Sequence, residues 1–247
     1  MILLNTIKEI SIFQEQHSIV KGNQEMDKRT FKNKVYSELA GIVKAMANPR
    51  RLEILELLAQ GVYSVEEIAD QTDLTIANAS QHLQVLKRVQ LVETHKDGTY
   101  VYYHLADQNV YKAWRSLRDL GMERIAEIDR ILKQFREPKR TLESVTSEQL
   151  AERMKNREVI VIDVRPKSEY ESGHIEGALN LPVEELKHEL KNLSRESEIV
   201  AYCRGPFCVF ADEAVDLLIR EGFKAKRLEE GYPDWMLEGL PVKQKQG

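Results

Sequence analysis

Val159-Ile160-Val161-Ile162 is a near-continuous apolar run. It is the mark of a strand buried on both faces, as in a parallel sheet with helices packed on each side. Glu198-Ile199-Val200-Ala201-Tyr202 is a second such run, followed by a helical pattern over 209–221. Lys224 to Leu228 reads as a further strand. Strands alternating with helices imply an α/β domain with a mostly parallel sheet.

The first half has another texture. Phe31, Val35, Leu39, Ile42, Val43 and Met46 recur at helical spacing. Asn48-Pro49 breaks that helix and starts the next, with proline in its favoured first turn. Leu52, Ile54, Leu55, Leu57 and Leu58 carry the second helix to Gly61, a natural stop. Ser64 caps a third helix, and Glu67 completes a capping box. After a turn at Gln71-Thr72-Asp73, Thr75 caps a fourth helix that runs to about Val89. Ile76, Ala79, Leu83 and Leu86 form its packing side. Two β-rich runs then flank Lys96-Asp97-Gly98, and Asp-Gly is a strong signal for a short hairpin. One long helix over about 107–136, ended by Pro138, completes a winged helix-turn-helix.

The outward side of the fourth helix offers Ala77, Asn78, Ser80, Gln81, Gln84 and Lys87, and residues 74–92 contain no acidic side chain. A face free of carboxylates can approach phosphates, and short amides and hydroxyls suit base edges in the major groove. The stretch EEIADQTDLTIANASQHLQVLKRVQLVETHKDGTYVYYHL, preceded by ANPRRLEILELL, resembles the ArsR/SmtB family of bacterial repressors over about residues 30–110. The resemblance implies a homodimer built on the first and last helices, with two recognition helices reading a pseudo-palindromic, double-stranded operator. It assigns base or backbone contacts to Thr75, Asn78, Ser80 and Gln81, and phosphate contacts to Lys87 and Lys96. Many members of that family sense metals. Here the third helix lacks cysteine and histidine, the last helix lacks histidine, and the chain's six histidines are scattered. Transition metals need such ligands at fixed spacing, so no metal site is expected at the usual positions.

Both cysteines of the chain fall in AYCRGPFC, residues 201–208. A strand precedes Cys203 and a helix starts near Val209. In so short a turn, successive N–H groups and the helix N-terminus point at the Cys203 sulfur, which stabilises a thiolate. Arg204 adds positive charge, Gly205 admits unusual backbone angles and Pro206 stiffens the curve. With IDVRPKSEYESGHIEGALNLP (162–182) and EEGYPDWMLEGLPV (229–242), this loop resembles a single rhodanese domain over about residues 145–242. The resemblance implies a five-stranded parallel sheet with helices on both faces and a sulfur-carrying nucleophile at Cys203. The implied reaction is thiosulfate or persulfide sulfurtransfer: Cys203 takes sulfane sulfur as a persulfide, then passes it to an acceptor. The loop Arg204, Gly205, Pro206, Phe207 and Cys208 would hold the persulfide's charge. Asp163 and Arg165, past a strand's C-terminal end, are supporting residues, and Glu169 and His174 belong to a structural framing motif. Cys208 has two readings: it resolves an oxidised Cys203 by forming a disulfide, or it packs inward at the helix start. Related phosphatases place arginine six residues beyond the cysteine; here Val209 stands there, which argues against phosphatase chemistry.

The totals agree with a soluble, two-domain chain. Of 247 residues, 42% are hydrophobic and 31% charged, and the net charge of -4 builds no global field for a polyanion. Two neighbouring cysteines make no disulfide framework, so a reducing cytoplasm is the expected location. MILL at the start is too short for a signal peptide's core, and no run approaches the ~20 residues of a spanning helix. The expected organisation is 1–26 poorly ordered or a weak helix over 2–13, a winged helix-turn-helix over 27–136, a linker over 137–144, and a rhodanese domain over 145–242. No cofactor is implied. A DNA reader joined to a sulfur acceptor suggests a repressor that senses reactive sulfur or thiol oxidation. The alternative is an active sulfurtransferase fused to an uncoupled DNA-binding domain.

Overall fold

Leu55 and Leu83 are fully buried in one apolar cluster, Ile162 in a second and Val200 in a third. The structure, a computed structural model, describes residues 26–136 and 143–244. The expectations for residues 1–25 and for most of the linker, 137–142, lie outside the described residues. Contacts divide the chain at Lys44/Ala45, and Ala45–Gly247 forms one compact unit that holds both the helical and the α/β parts.

Helix α1 spans Lys28–Met46. Phe31, Val35, Tyr36, Leu39 and Val43 along it are exposed. In the larger unit, Asn48 accepts a hydrogen bond from the Arg51 N–H and caps α2 (Pro49–Leu58). Ser64 and Glu67 exchange the two bonds of a capping box at the start of α3 (Val65–Gln71). Thr75 caps α4 (Ile76–Arg88). Ala79, Leu83 and Leu86 of α4 are buried, while Ile76, expected on the same packing side, is 54% exposed. It lies in the first turn, at the edge of that side. Strands β2 (Val92–Asp97) and β3 (Tyr100–Leu105) form the wing, with β1 (Tyr63–Ser64) on the far side of β3. Asp97 pairs with Tyr100, leaving Gly98-Thr99 as the turn, and Gly98 takes the left-handed conformation that glycine permits.

The long closing helix is broken. It forms α5 (Gln108–Arg124) and α6 (Ala126–Arg136), with Ile125 in extended geometry between them. Gly121 lies one turn before the break, where an added Cβ would crowd Ile128 at 3.3 Å. The change of direction carries Arg136 to the Pro206 carbonyl and to Asp212, contacts that offset the lost helical bonds.

The α/β layer has β4 (Ser144–Val145), α7 (Ser147–Lys155), β5 (Val159–Asp163), α8 (Lys167–Ser172), β6 (Gly173–Ile175) and β7 (Leu179–Asn180). It continues through α9 (Val183–Glu189), β8 (Glu198–Cys203), α10 (Phe210–Arg220), β9 (Ala225–Gly231), α11 (Tyr232–Leu237) and β10 (Val242–Gln244). The main sheet has the order β4-β9-β8-β5-β7 with every neighbouring pair parallel. Alternate residues serve opposite faces, as strand geometry requires. Ile162, Ile199 and Ala201 pack with α9 and α10, whereas Val161, Val200 and Tyr202 pack with Leu150 and Trp235. Among the described residues no helix is long and apolar enough to cross a membrane.

Asp234, from α11, is wholly buried against Arg118 of α5 at 3.0 and 3.1 Å, with Arg115 at 3.2 Å. Removing one partner of such a pair strands the other charge, so Asp234→Ala is expected to lower stability by about 3 kcal/mol in urea denaturation.

Candidate functional site

The C-terminal ends of parallel strands are where α/β folds place their chemistry. Asp163 closes β5, Cys203 closes β8 and Gly231 closes β9. Cys203 pairs with Gly231 across the ladder. A Cβ on Gly231 would lie 2.1 Å from the Arg204 carbonyl oxygen, so only glycine lets the sulfur loop lie this close.

Cys203 is 2% exposed and is joined to Cys208 in a disulfide, with Cα atoms 6.3 Å apart. The two sulfurs meet, and Cys208 also packs, half-buried, against the α/β core. The Cys208 N–H donates to the Gly205 carbonyl, tightening the turn. Pro206 is buried and its carbonyl accepts from Arg136. Phe207 packs against the apolar cluster of the winged helix-turn-helix.

Arg204 turns to Glu169, whose carboxylate receives its Nε at 3.1 Å, and to the Gln71 side chain of α3 at 2.6 Å. Its charge is therefore committed to Glu169 instead of lying free beside the sulfur. Glu169, 3% exposed, thereby acquires a specific task that the framing motif alone did not reveal. His174 bonds the Tyr170 carbonyl at 2.8 Å and stacks on the Tyr170 ring.

Asp163 and Arg165 form a fully buried ion pair at 2.6 Å. The Tyr202 hydroxyl donates to Asp163 at 2.6 Å, fixing the residue just before Cys203. Burial, helped by the Asp163 charge, pushes the Tyr202 hydroxyl well above its usual pKa and keeps it a donor. Arg165 also donates to the Gly173 carbonyl and to Gln60 Oε1 at 3.0 Å. Gln60, two residues past the end of α2 and 2% exposed, donates in turn to the Arg204 carbonyl at 3.2 Å. One carboxamide thus joins the sheet's ion pair to the sulfur loop from the winged part of the chain. Sequence reading missed Gln60, because a glutamine just past a helix has no distinguishing pattern.

It missed Glu56 as well. This half-buried carboxylate lies near Gly205, where an added Cβ would meet its Oε1 at 3.3 Å. Burial is the main reason its pKa rises from 4.5 to about 7; Arg118 and Arg204 oppose the rise, Asp234 and Glu53 add to it.

On the nucleic-acid side, Asn78 and Gln81 are exposed on α4, and Ser80 is half-buried. The Thr75 hydroxyl accepts from the Asn78 N–H, so capping occupies it. Lys87 donates to Thr94 at 2.8 Å, tying α4 to the wing, and Lys96 is exposed on β2. These residues share one helix and the adjoining hairpin, apart from the sulfur loop.

Two family descriptions match the chain: bacterial regulatory protein, arsR family, over residues 48–94, and rhodanese-like domain over residues 146–238. HTH-type transcriptional regulator Rv0324 of Mycobacterium tuberculosis is 40% identical over 206 residues, covering 83% of this chain and 90% of that protein. The solution structure of the homodimeric winged helix-turn-helix DNA-binding domain Mb0332 from Mycobacterium bovis is 37% identical, with a TM-score of 0.38, 42% of this chain and 93% of that one covered. A rhodanese-related protein from Thermoplasma volcanium is 29% identical, with a TM-score of 0.38, covering 42% of this chain and 99% of that one.

The raised pKa of Glu56 has a thermodynamic consequence. Its folded value lies above its unfolded one, so its contribution to stability is full below about 4.5 and is lost as pH rises through about 7. Glu56→Gln is expected to be more stable than the parent by about 1–3 kcal/mol near pH 8, and this gain disappears near pH 4. Thermal melts at the two pH values read the difference.

Proposed function

Because the chain belongs to the ArsR-family transcriptional regulators that carry a C-terminal rhodanese-like domain, we propose that it is a cytoplasmic, homodimeric repressor whose operator affinity follows the sulfur state of Cys203. The observation that carries this reading is the Gln60 carboxamide, which touches the sulfur loop and the Asp163–Arg165 pair from just past the end of α2. A change in the loop's geometry then reaches the helix-turn-helix through buried hydrogen bonds. The uncoupled alternative has no use for them.

In the reduced protein, Cys203 attacks the sulfane sulfur of a donor such as thiosulfate or a persulfide, and the sulfur–sulfur bond of the donor breaks. The loop from Arg204 to Cys208 and the start of α10 stabilise the resulting anion. Cys208 then attacks Sγ of Cys203, the bond to the outer sulfur breaks, that sulfur leaves as hydrosulfide, and the disulfide closes. Asp163 and Arg165 position Tyr202 and the loop without touching the reacting atoms. Thr75, Asn78, Ser80 and Gln81 face the operator, with Lys87 and Lys96 on its phosphates. Exposed apolar side chains on α1 and on α5–α6, among them Leu120, Ile131 and Phe135, support pairing of two copies there.

Mass spectrometry of the reduced Cys208→Ser variant after thiosulfate should find one added sulfur on Cys203, absent when Cys203 is replaced by serine as well. Gel shifts with the DNA upstream of its own gene should show affinity changing after a persulfide donor in the parent but not in Cys203→Ser; unchanged parental affinity would falsify the sensing role. Lys87→Ala and Lys96→Ala should each reduce the salt slope of operator binding by about 1, because each removes one phosphate contact.

A further inference from the structure

A cavity of about 250 Å³ opens beside the sulfur loop. Cys208 lines it, and the buried Cys203 does not. The facing wall comes from the winged part of the chain: Glu53, Glu56, Gln71 and Thr72. A nucleophile arriving through this cavity therefore meets Cys208 before Cys203, beside residues of α2 and α3.

The size and charge of the cavity describe that nucleophile. Its volume falls below the ~300 Å³ at which pockets for drug-sized ligands begin, which suits a molecule of a few heavy atoms and excludes a protein loop. Glu56 is held in the wall with no side-chain donor on its carboxylate among the described residues. The nearest cations are already engaged, Arg118 by Asp234 and Arg204 by Glu169. An ammonium group is the complement a half-buried carboxylate of this kind favours.

We propose that this cavity is a docking site for a small aminothiol, which opens the Cys203–Cys208 disulfide by attacking Cys208. The thiol gives up its proton to solvent, and its sulfur bonds to Sγ of Cys208. The Cys203–Cys208 bond breaks, and its electron pair leaves with Cys203 as a thiolate. A second thiol molecule attacks the adduct's outer sulfur and frees Cys208. Two thiols are oxidised to one small disulfide, and the protein takes up two protons as it is reduced. During the first step the adduct occupies space bounded by α2 and α3, so it acts directly on the helices that support α4. This deepens the sulfur-responsive reading, since it names what returns the site to its sulfur-accepting form.

The test uses the full-length oxidised protein near pH 8, with cysteamine and 3-mercaptopropionate as probes. Each rate of disulfide opening is divided by that probe's rate on oxidised glutathione, which removes intrinsic thiol reactivity. The expected result is a preference for cysteamine of about tenfold, the factor one charge-assisted contact supplies, lost in Glu56→Gln. Quenching with iodoacetamide and peptide mapping should place cysteamine on Cys208 and the alkyl group on Cys203. Equal normalised rates, or cysteamine on Cys203, overturn the proposal. Thiosulfate loading of the reduced Cys208→Ser variant is read separately: with no sulfur gained there but cysteamine still on Cys208 of the oxidised parent, the sulfur-carrier reading fails and the docking site stands.

Discussion

The guanidinium of Arg165 organises the junction of the molecule. It is wholly buried, and a buried cation is stable only when its donors are matched. Asp163 neutralises it, Gly173 and Gln60 accept from it, and the Tyr232 ring lies 4.6 Å away. Each partner leads elsewhere: Asp163 to Tyr202, the Gln60 carboxamide to the sulfur loop, and Tyr232 to the helix that carries Asp234. Remove the cation and four segments lose their common reference point.

That arrangement explains why the loop is shared ground. Its carbonyls at Arg204 and Pro206 are taken by Gln60 and Arg136, and the Arg204 side chain spans Glu169 and Gln71. Three of these partners come from helices of the winged part. A loop bonded on both sides is the connected element that the proposed sensing role uses. In the proposed sensing role, closing or opening the disulfide is the two-state event.

Much of this was legible in residue order. The apolar runs at 159–162 and 198–202 specify a sheet covered on both faces, and the capping residues Asn48, Ser64 and Thr75 mark helix starts that the structure reproduces. Asp-Gly at 97–98 located the hairpin, although Lys96 and Asp97 belong to its first strand and the turn itself is Gly98-Thr99. What escaped has a common cause. Periodicity reports which side of an element is apolar, not which polar residue at its end will meet a distant segment. Gln60, Gln71 and Arg118 look like surface residues until the α/β layer is placed against them. The break at Ile125 was hidden too, since the apolar spacing continues through it while the bonds of Arg136 reward a bend.

Phe207 carries a wider implication. It is donated by the rhodanese-like half, yet it packs on the cluster of Leu55, Leu83 and Trp114, with Leu237 beside it. The helical half thus borrows part of its interior from the other, as a subunit borrows from an obligate partner. Grafting this helical half onto a different partner would leave an uncovered apolar patch on that cluster.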